Sequence, residues 1–171
     1  MKSNIFIFHG TGGYPEENWF PWIKKELEAK KYTVFVPKFP TPEGQSLEAW
    51  LKVLENYKEY INENTIFIGH SLGCMFILRI LEKLSHKIKG VFLIAGMVGI
   101  KPILNYTTDY SFGGFDFDWD KVKNKSKNLQ IIFKGEIASQ AHGSMSDKQI
   151  EILTPDYTVL YQFGQPEQCV Y

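Results

Sequence analysis

Short unbroken apolar runs alternate along the chain with longer stretches whose apolar residues recur every three or four positions. Asn4-Ile5-Phe6-Ile7-Phe8 is the first such run and ends in His9-Gly10. A continuous apolar run of that length suits a strand buried on both faces, as in a parallel sheet. Pro21 to Lys30 reads as a helix with proline in its first turn. Thr33-Val34-Phe35-Val36 is β-branched and aromatic and stops at Pro37, so it is the second strand. Ser46 is placed to cap a long helix in which Leu47, Trp50, Leu51, Leu54, Tyr57 and Ile61 share one side. Thr65 to Ile68, Val91 to Ile94 and Leu129 to Phe133 are further strands. A mostly apolar helix lies over Leu72 to Leu84, and Asp118 or Asp120 caps a short one over Trp119 to Val122.

Strands that alternate with helices, through connections too long for hairpins, define βαβ units and a mainly parallel sheet covered on both faces. The expectation is therefore a three-layer α/β fold, with residues 1–171 forming a single domain. At 171 residues the core is large enough to stand without staples. Hydrophobic residues make up 44% and charged residues 22%, which excludes a disordered or fibrous chain. Nineteen basic and nineteen acidic residues give a net charge of zero, so there is no electrostatic footprint for nucleic acid or an anionic membrane. Cys74 and Cys169 do not make a disulfide framework. No signal peptide or membrane-length apolar run stands out, so a reduced, cytoplasmic protein is expected.

The chemistry-bearing pattern is Gly69-His70-Ser71-Leu72-Gly73, a G-x-S-x-G between an expected strand and an expected helix. The pattern has meaning only in that context. A very tight turn strains the serine at its apex and points its hydroxyl out at the carboxyl edge of the sheet. Ser71 is then the candidate nucleophile, and the amide of Leu72 a candidate donor to an oxyanion. His9-Gly10-Thr11-Gly12-Gly13 follows the first strand, and its glycines let backbone approach a ligand closely. A second oxyanion amide is expected there, from Thr11, with Gly10 beside it and His70 lining the same site. A phosphate-binding loop is the weaker reading, because G-x-G-G lacks the spacing of the nucleotide fingerprints.

Taken together, several stretches resemble one family. They are Phe8 to Gly13 with Asn18-Trp19-Phe20-Pro21-Trp22, Phe39-Pro40-Thr41-Pro42, Gly69 to Gly73, and Phe117-Asp118-Trp119-Asp120-Lys121-Val122. The family is the small α/β-hydrolases related to retinoblastoma-binding protein nine, and order and spacing agree from about residue 4 to about residue 136. The resemblance implies an α/β-hydrolase-like domain acting on esters or small amides, with no metal or organic cofactor. It carries Ser71 over as nucleophile. The expected partner is a small-molecule acyl substrate, not nucleic acid or membrane, and room is left for a protein partner.

The rest of a triad is harder to find. A serine nucleophile needs a base, and the base an orienting acid, in chain order Ser, Asp or Glu, His. The acid is expected just after Gly135-Glu136, where Ile137-Ala138-Ser139 follows without an aspartate. The histidine is expected after one more helix and strand, with Ser146 to Leu153 and Tyr157 to Phe163 filling those places, yet no histidine follows Phe163. His9 and His70 flank the glycine-rich turns and are poor bases. His86 lies past the Leu72 to Leu84 helix and is expected to be exposed. His142 remains, and a Ser71–His142 pair with Glu136 or Asp147 as orienter is the arrangement the chain allows. The alternative is a non-catalytic binding protein or an inactive hydrolase product.

Composition changes where the resemblance stops. Residues 1–135 hold 17 Lys and 2 Gln, and residues 136–171 hold 1 Lys and 5 Gln. Either this region has diverged, or it is an alternative end read from another frame. Residues 136–171 are expected to be the least ordered, leaving on the order of several hundred Å² of apolar surface exposed on one sheet face and the protein marginally stable and prone to aggregate or dimerise. Other patterns have structural readings. Asp116 to Asp120 begins like a calcium loop but has Lys121 and Lys127 where glycine and glutamate are needed. The run Lys121, Lys123, Lys125, Lys127 is a solvated face, and Cys74 a small core residue. Of the many aromatics most fill the core and a minority lines a pocket, and Met97 to Phe115 is either a cap over the site or an ordinary packed loop.

Overall fold

The computed structural model describes residues 3–96, 110–113, 117–134, 150–153 and 159–163. Among them the strands are β1 (Asn4–Phe8), β2 (Thr33–Phe35), β3 (Ile66–His70), β4 (Gly90–Ile94), β5 (Leu129–Lys134), β6 (Ile150–Leu153) and β7 (Val159–Phe163). They form one sheet in the order β2-β1-β3-β4-β5-β6-β7. The first five run parallel, with β1 at the point where strand order reverses. β6 and β7 pair antiparallel at the far edge. The helices are α1 (Phe20–Ala29), α2 (Leu47–Glu55), α3 (Leu72–Lys83), α4 (Tyr110–Gly113) and α5 (Trp119–Asn124). This is an α/β-hydrolase-like fold.

Alternation along the strands sends side chains to two different cores. Phe6, Phe8, Phe67, Val91 and Leu93 point to one face and are packed beneath α2 and α3. Trp50 of α2 and Phe76 of α3 are fully buried there and meet edge to face, with ring centroids 5.3 Å apart. Ile5, Ile7, Val34 and Ile68 point to the other face, with Phe20 of α1 over them. Nearly every residue from Leu72 to Leu81 is buried, because α3 touches the sheet on one side and other helices on the other. Ser46 caps α2, its hydroxyl accepting from Ala49 N at 3.1 Å, and Asp118 caps α5, accepting from Lys121 N at 3.0 Å.

Three expectations need correcting. The helix after Ser46 ends at Glu55, and only a single 3-10 turn follows over Lys58–Tyr60. Tyr57 leaves the helical path to pack on Phe6 and Phe35. The helix expected over Ser146 to Leu153 is instead strand β6, whose Ile150-Glu151-Ile152 repeats every second residue. The following strand begins at Val159. His86 is half-buried rather than exposed, with Nε2 buried and without a hydrogen-bond partner among the described residues. The expected low order of residues 136–171 falls largely outside the described residues. On the face under α1, Ile66, Phe92 and Ile94 are half-buried. Among the described residues no helix is long and apolar enough to cross a membrane.

Candidate active site

A single residue, Ser71, joins the end of β3 to the start of α3. Its backbone takes φ 53° and ψ −120°, a conformation that L-residues avoid and that costs about 1–3 kcal/mol. The surroundings hold it there. Ser71 N donates to Ile94 O at 3.1 Å, tying the turn to the end of β4, and Cys74 N donates to Ser71 O at 3.0 Å. The Cys74 thiol lies 3.2 Å from Gly69 O and 3.4 Å from Ile94 O. Complete burial pushes its pKa up to about 12, so it stays a neutral donor.

The flanking glycines are required by space. A Cβ on Gly69 would stand 2.9 Å from Cys74 N, inside the turn itself. A Cβ on Gly73 would stand 2.8 Å from the His9 carbonyl oxygen and nearer still to that of Phe8. The start of α3 thus lies directly on the end of β1, and this contact brings the second glycine-rich segment to the serine. A Cβ on Gly10 would meet Ser71 Cβ at 2.8 Å and Oγ at 3.2 Å.

The segment from His9 to Gly13 is a turn closed by Gly13 N donating to Gly10 O at 3.1 Å. It is tied to the β2–α2 connection at two points. His9 is fully buried, and its Nε2 accepts from Phe39 N at 3.0 Å while Nδ1 lies 2.9 Å from Gly10 O. Those partners make His9 the Nδ1–H tautomer with both nitrogens engaged. Burial lowers its pKa. The second tie runs through Thr41 and Gln45. Gly12 N donates to Thr41 Oγ1 at 2.6 Å, the Thr41 hydroxyl donates to Gln45 Oε1, and Gln45 Nε2 donates to Thr11 Oγ1 at 3.2 Å.

His70 stands on the opposite side of the turn, half-buried, with its ring edge-on to Trp19 and Phe20 at 6.1 and 5.9 Å. Its Nδ1 is buried without a hydrogen-bond partner among the described residues. Burial, with a smaller contribution from His9, lowers its pKa. His86 lies beyond the C-terminal end of α3, at the sheet edge away from Ser71. Gly10 thus stands against Ser71, with Thr11 next to it in the chain, and His70 and Leu72 flank Ser71 in the turn. His142, Glu136 and Asp147 lie outside the described residues. So does most of the expected cap from Met97 to Phe115, of which Tyr110–Gly113 is described as α4.

Some residues around the site were not foreseen. Thr41 was visible only as part of Phe39-Pro40-Thr41-Pro42, and Gln45 not at all, since one buried glutamine carries no local signal. Arg79 and Glu82 were also missed. They form a mostly buried pair at 2.9 Å. Arg79 Nε donates to Phe112 O at 2.9 Å, with its guanidinium 4.1 Å from the Phe117 ring centroid. Glu82 Oε1 accepts from Asp118 N at 2.8 Å. Together they fix α4 and the start of α5 against α3. No cluster of three or more His, Cys, Asp or Glu suited to a metal occurs among the described residues.

The parallel sheet with a serine at the one-residue turn between its central strand and the following helix defines the class, an α/β-hydrolase-like protein. Residues 5–114 match the serine hydrolase family. The chain belongs to that family, among the small serine hydrolases related to retinoblastoma-binding protein nine. It is 32% identical over 160 residues to the putative hydrolase YdeN of Bacillus subtilis, covering 87% of this chain and 84% of that protein. It is 26% identical over 132 residues to serine hydrolase RBBP9 of Rattus norvegicus, covering 77% and 68% respectively. The crystal structure of the ydeN gene product superposes with a TM-score of 0.67 at 33% identity, covering 75% of this chain and 69% of that one.

Proposed function

We propose that the protein is a hydrolase of carboxylic esters or similar acyl compounds, with Ser71 as its nucleophile. The observation that carries this reading is the strained Ser71 backbone at the head of α3, pressed against Gly10. Strain at a functional position persists only where its surroundings enforce it. In the reaction Ser71 Oγ bonds to the acyl carbon, and the carbonyl electron pair moves onto oxygen. The amides of Leu72 and Thr11 receive that charge, aided by the positive end of α3. Collapse breaks the bond to the leaving alkoxide, which takes the proton removed from Ser71. Water then releases the acid and restores the serine.

The proton carrier is His142, with Glu136 as its orienter. Elimination supports this: both His9 nitrogens are occupied, the His70 ring is turned against Trp19 and Phe20, and His86 is at the wrong edge. No cofactor or metal takes part, and the expected setting is the cytoplasm. The test is labelling by a fluorophosphonate, which needs only an activated serine. Labelling of the wild-type chain, lost in Ser71→Ala, is expected. Ester turnover should show a base titrating near neutrality that disappears in His142→Ala.

One observation favours a second reading, in which the chain binds acyl compounds without turning them over. Directly after Gly135-Glu136 stands Ile137-Ala138-Ser139, with no aspartate at the position expected for the orienting acid. Folded protein that takes no label would decide for it.

A further inference from the structure

We propose that Thr41 and Gln45 are positioning residues for acyl hydrolysis, a hydroxyl–amide relay that fixes the Thr11 backbone amide beside Ser71; this rests on the Ser71 reading above. An amide stabilises a developing oxyanion only if it is already aimed when charge appears. The segment that carries Thr11 is poorly suited to hold an aim by itself. Three of the four residues from Gly10 to Gly13 are glycine, and Gly12 sits at φ 72°. Gly12 is also exposed to solvent.

The relay supplies the missing rigidity, and it runs in one direction. The Gly12 N–H occupies a lone pair of Thr41 Oγ1, so the Thr41 proton is turned toward Gln45 Oε1. That contact sets which end of the Gln45 amide faces which way, and leaves Nε2 to donate to Thr11 Oγ1. Thr11 is thereby bracketed: its side chain is held by Gln45, the next peptide N–H by Thr41, and the preceding Gly10 is packed against Ser71. Gln45 is only 2% exposed, so its orientation is fixed by its neighbours rather than by water. The His9–Phe39 tie holds the other end of the same segment to the same connection. Thr41 and Gln45 touch no reacting atom and act only through Thr11.

The test compares Thr41→Val, which keeps shape and removes the hydroxyl, with Thr41→Ser, which keeps the hydroxyl. Gln45→Leu provides the parallel change. The readout is fluorophosphonate modification of the purified full chain, separated into binding and inactivation steps. The inactivation rate is expected to fall about 10- to 100-fold in Thr41→Val and Gln45→Leu, with binding within about twofold. Thr41→Ser should stay within about threefold of wild type. Wild-type inactivation in Thr41→Val, or an equal fall in Thr41→Ser, overturns the relay while leaving the Ser71 reading intact. A wild-type chain that takes no label overturns both. Hydrogen exchange covers the case of variants that do not fold. In the wild-type chain the Gly12 amide should exchange at least about tenfold more slowly than a free peptide, and exchange at the free rate overturns the relay.

Discussion

The two faces of the sheet are built to different standards. On the α2 and α3 side, Phe6, Phe8, Phe67, Trp50 and Phe76 are fully buried and interlock ring against ring. On the α1 side the strands offer the shorter Ile5, Ile7, Val34 and Ile68, and Ile66, Phe92 and Ile94 are only half-buried. The same contrast reaches the site. His9 belongs to the first side, tilted against Phe39 and edge-on to Trp50 with both nitrogens bonded. His70 belongs to the second, against Trp19 and Phe20, with Nδ1 unpartnered among the described residues. The lesson is a division of labour. The thickly packed face holds Ser71 and Gly10 in register, and on the thinner face His70 stands against Trp19 and Phe20.

Point mutations can break this contrast if it is wrong. Phe76→Ala should destabilise the protein by about 3–5 kcal/mol, since its neighbours cannot collapse into the cavity. Phe92→Ala, on the other face, should cost about 1–2 kcal/mol because part of the ring is already in water. Urea unfolding midpoints measure both, and equal losses would erase the distinction.

Acidification sharpens the comparison. His9 and His70 both have folded-state pKa values below their unfolded value, each chiefly through burial. The unfolded chain therefore binds more protons, and their contribution is complete above about pH 6.5 and lost as pH falls below it. The expected slope is at most about 1.4 kcal/mol per pH unit for each histidine. His70→Gln should make the curve between pH 7 and 5 shallower. A curve of unchanged slope would show that His70 carries no such linkage.

The smallest effect lies at the seam between the faces. Ser71→Gly removes the side chain responsible for backbone strain, at the expense of a more flexible unfolded chain. A net gain of about 0.5–1 kcal/mol in unfolding free energy is expected, together with complete loss of labelling. A less stable Ser71→Gly would mean that the turn is unstrained.

What could be read from the sequence follows the same physical divide. Strands β1, β3 and β4 and helix α3 were legible because burial on all sides demands unbroken apolar runs. Ser46 and Asp118 were legible because capping is local. The end of α2 was not, since Tyr57 and Ile61 keep helical spacing while Tyr57 answers to Phe6 and Phe35, far away in sequence. Strand β6 is hard to tell from a helix in the sequence, because its period of two runs only over Ile150-Glu151-Ile152 before Leu153 breaks it. Ser71 and its glycines announce themselves through spacing. Gln45 bonds to a residue 34 positions away and leaves no pattern to find.

Arg79 and Glu82 grip main chain across from α3. Their hydrogen bonds to the chain opposite α3 end on Phe112 O and Asp118 N, both backbone atoms. Such an anchor senses the path of the chain and is blind to most side chains on it. These two bonds would survive a side-chain change at 112 or 118, although Phe112 also packs on Trp50 and Phe76 and Asp118 also caps α5. Helix α3 thus grips main chain on one side while Ser71 stands at its N-terminal end.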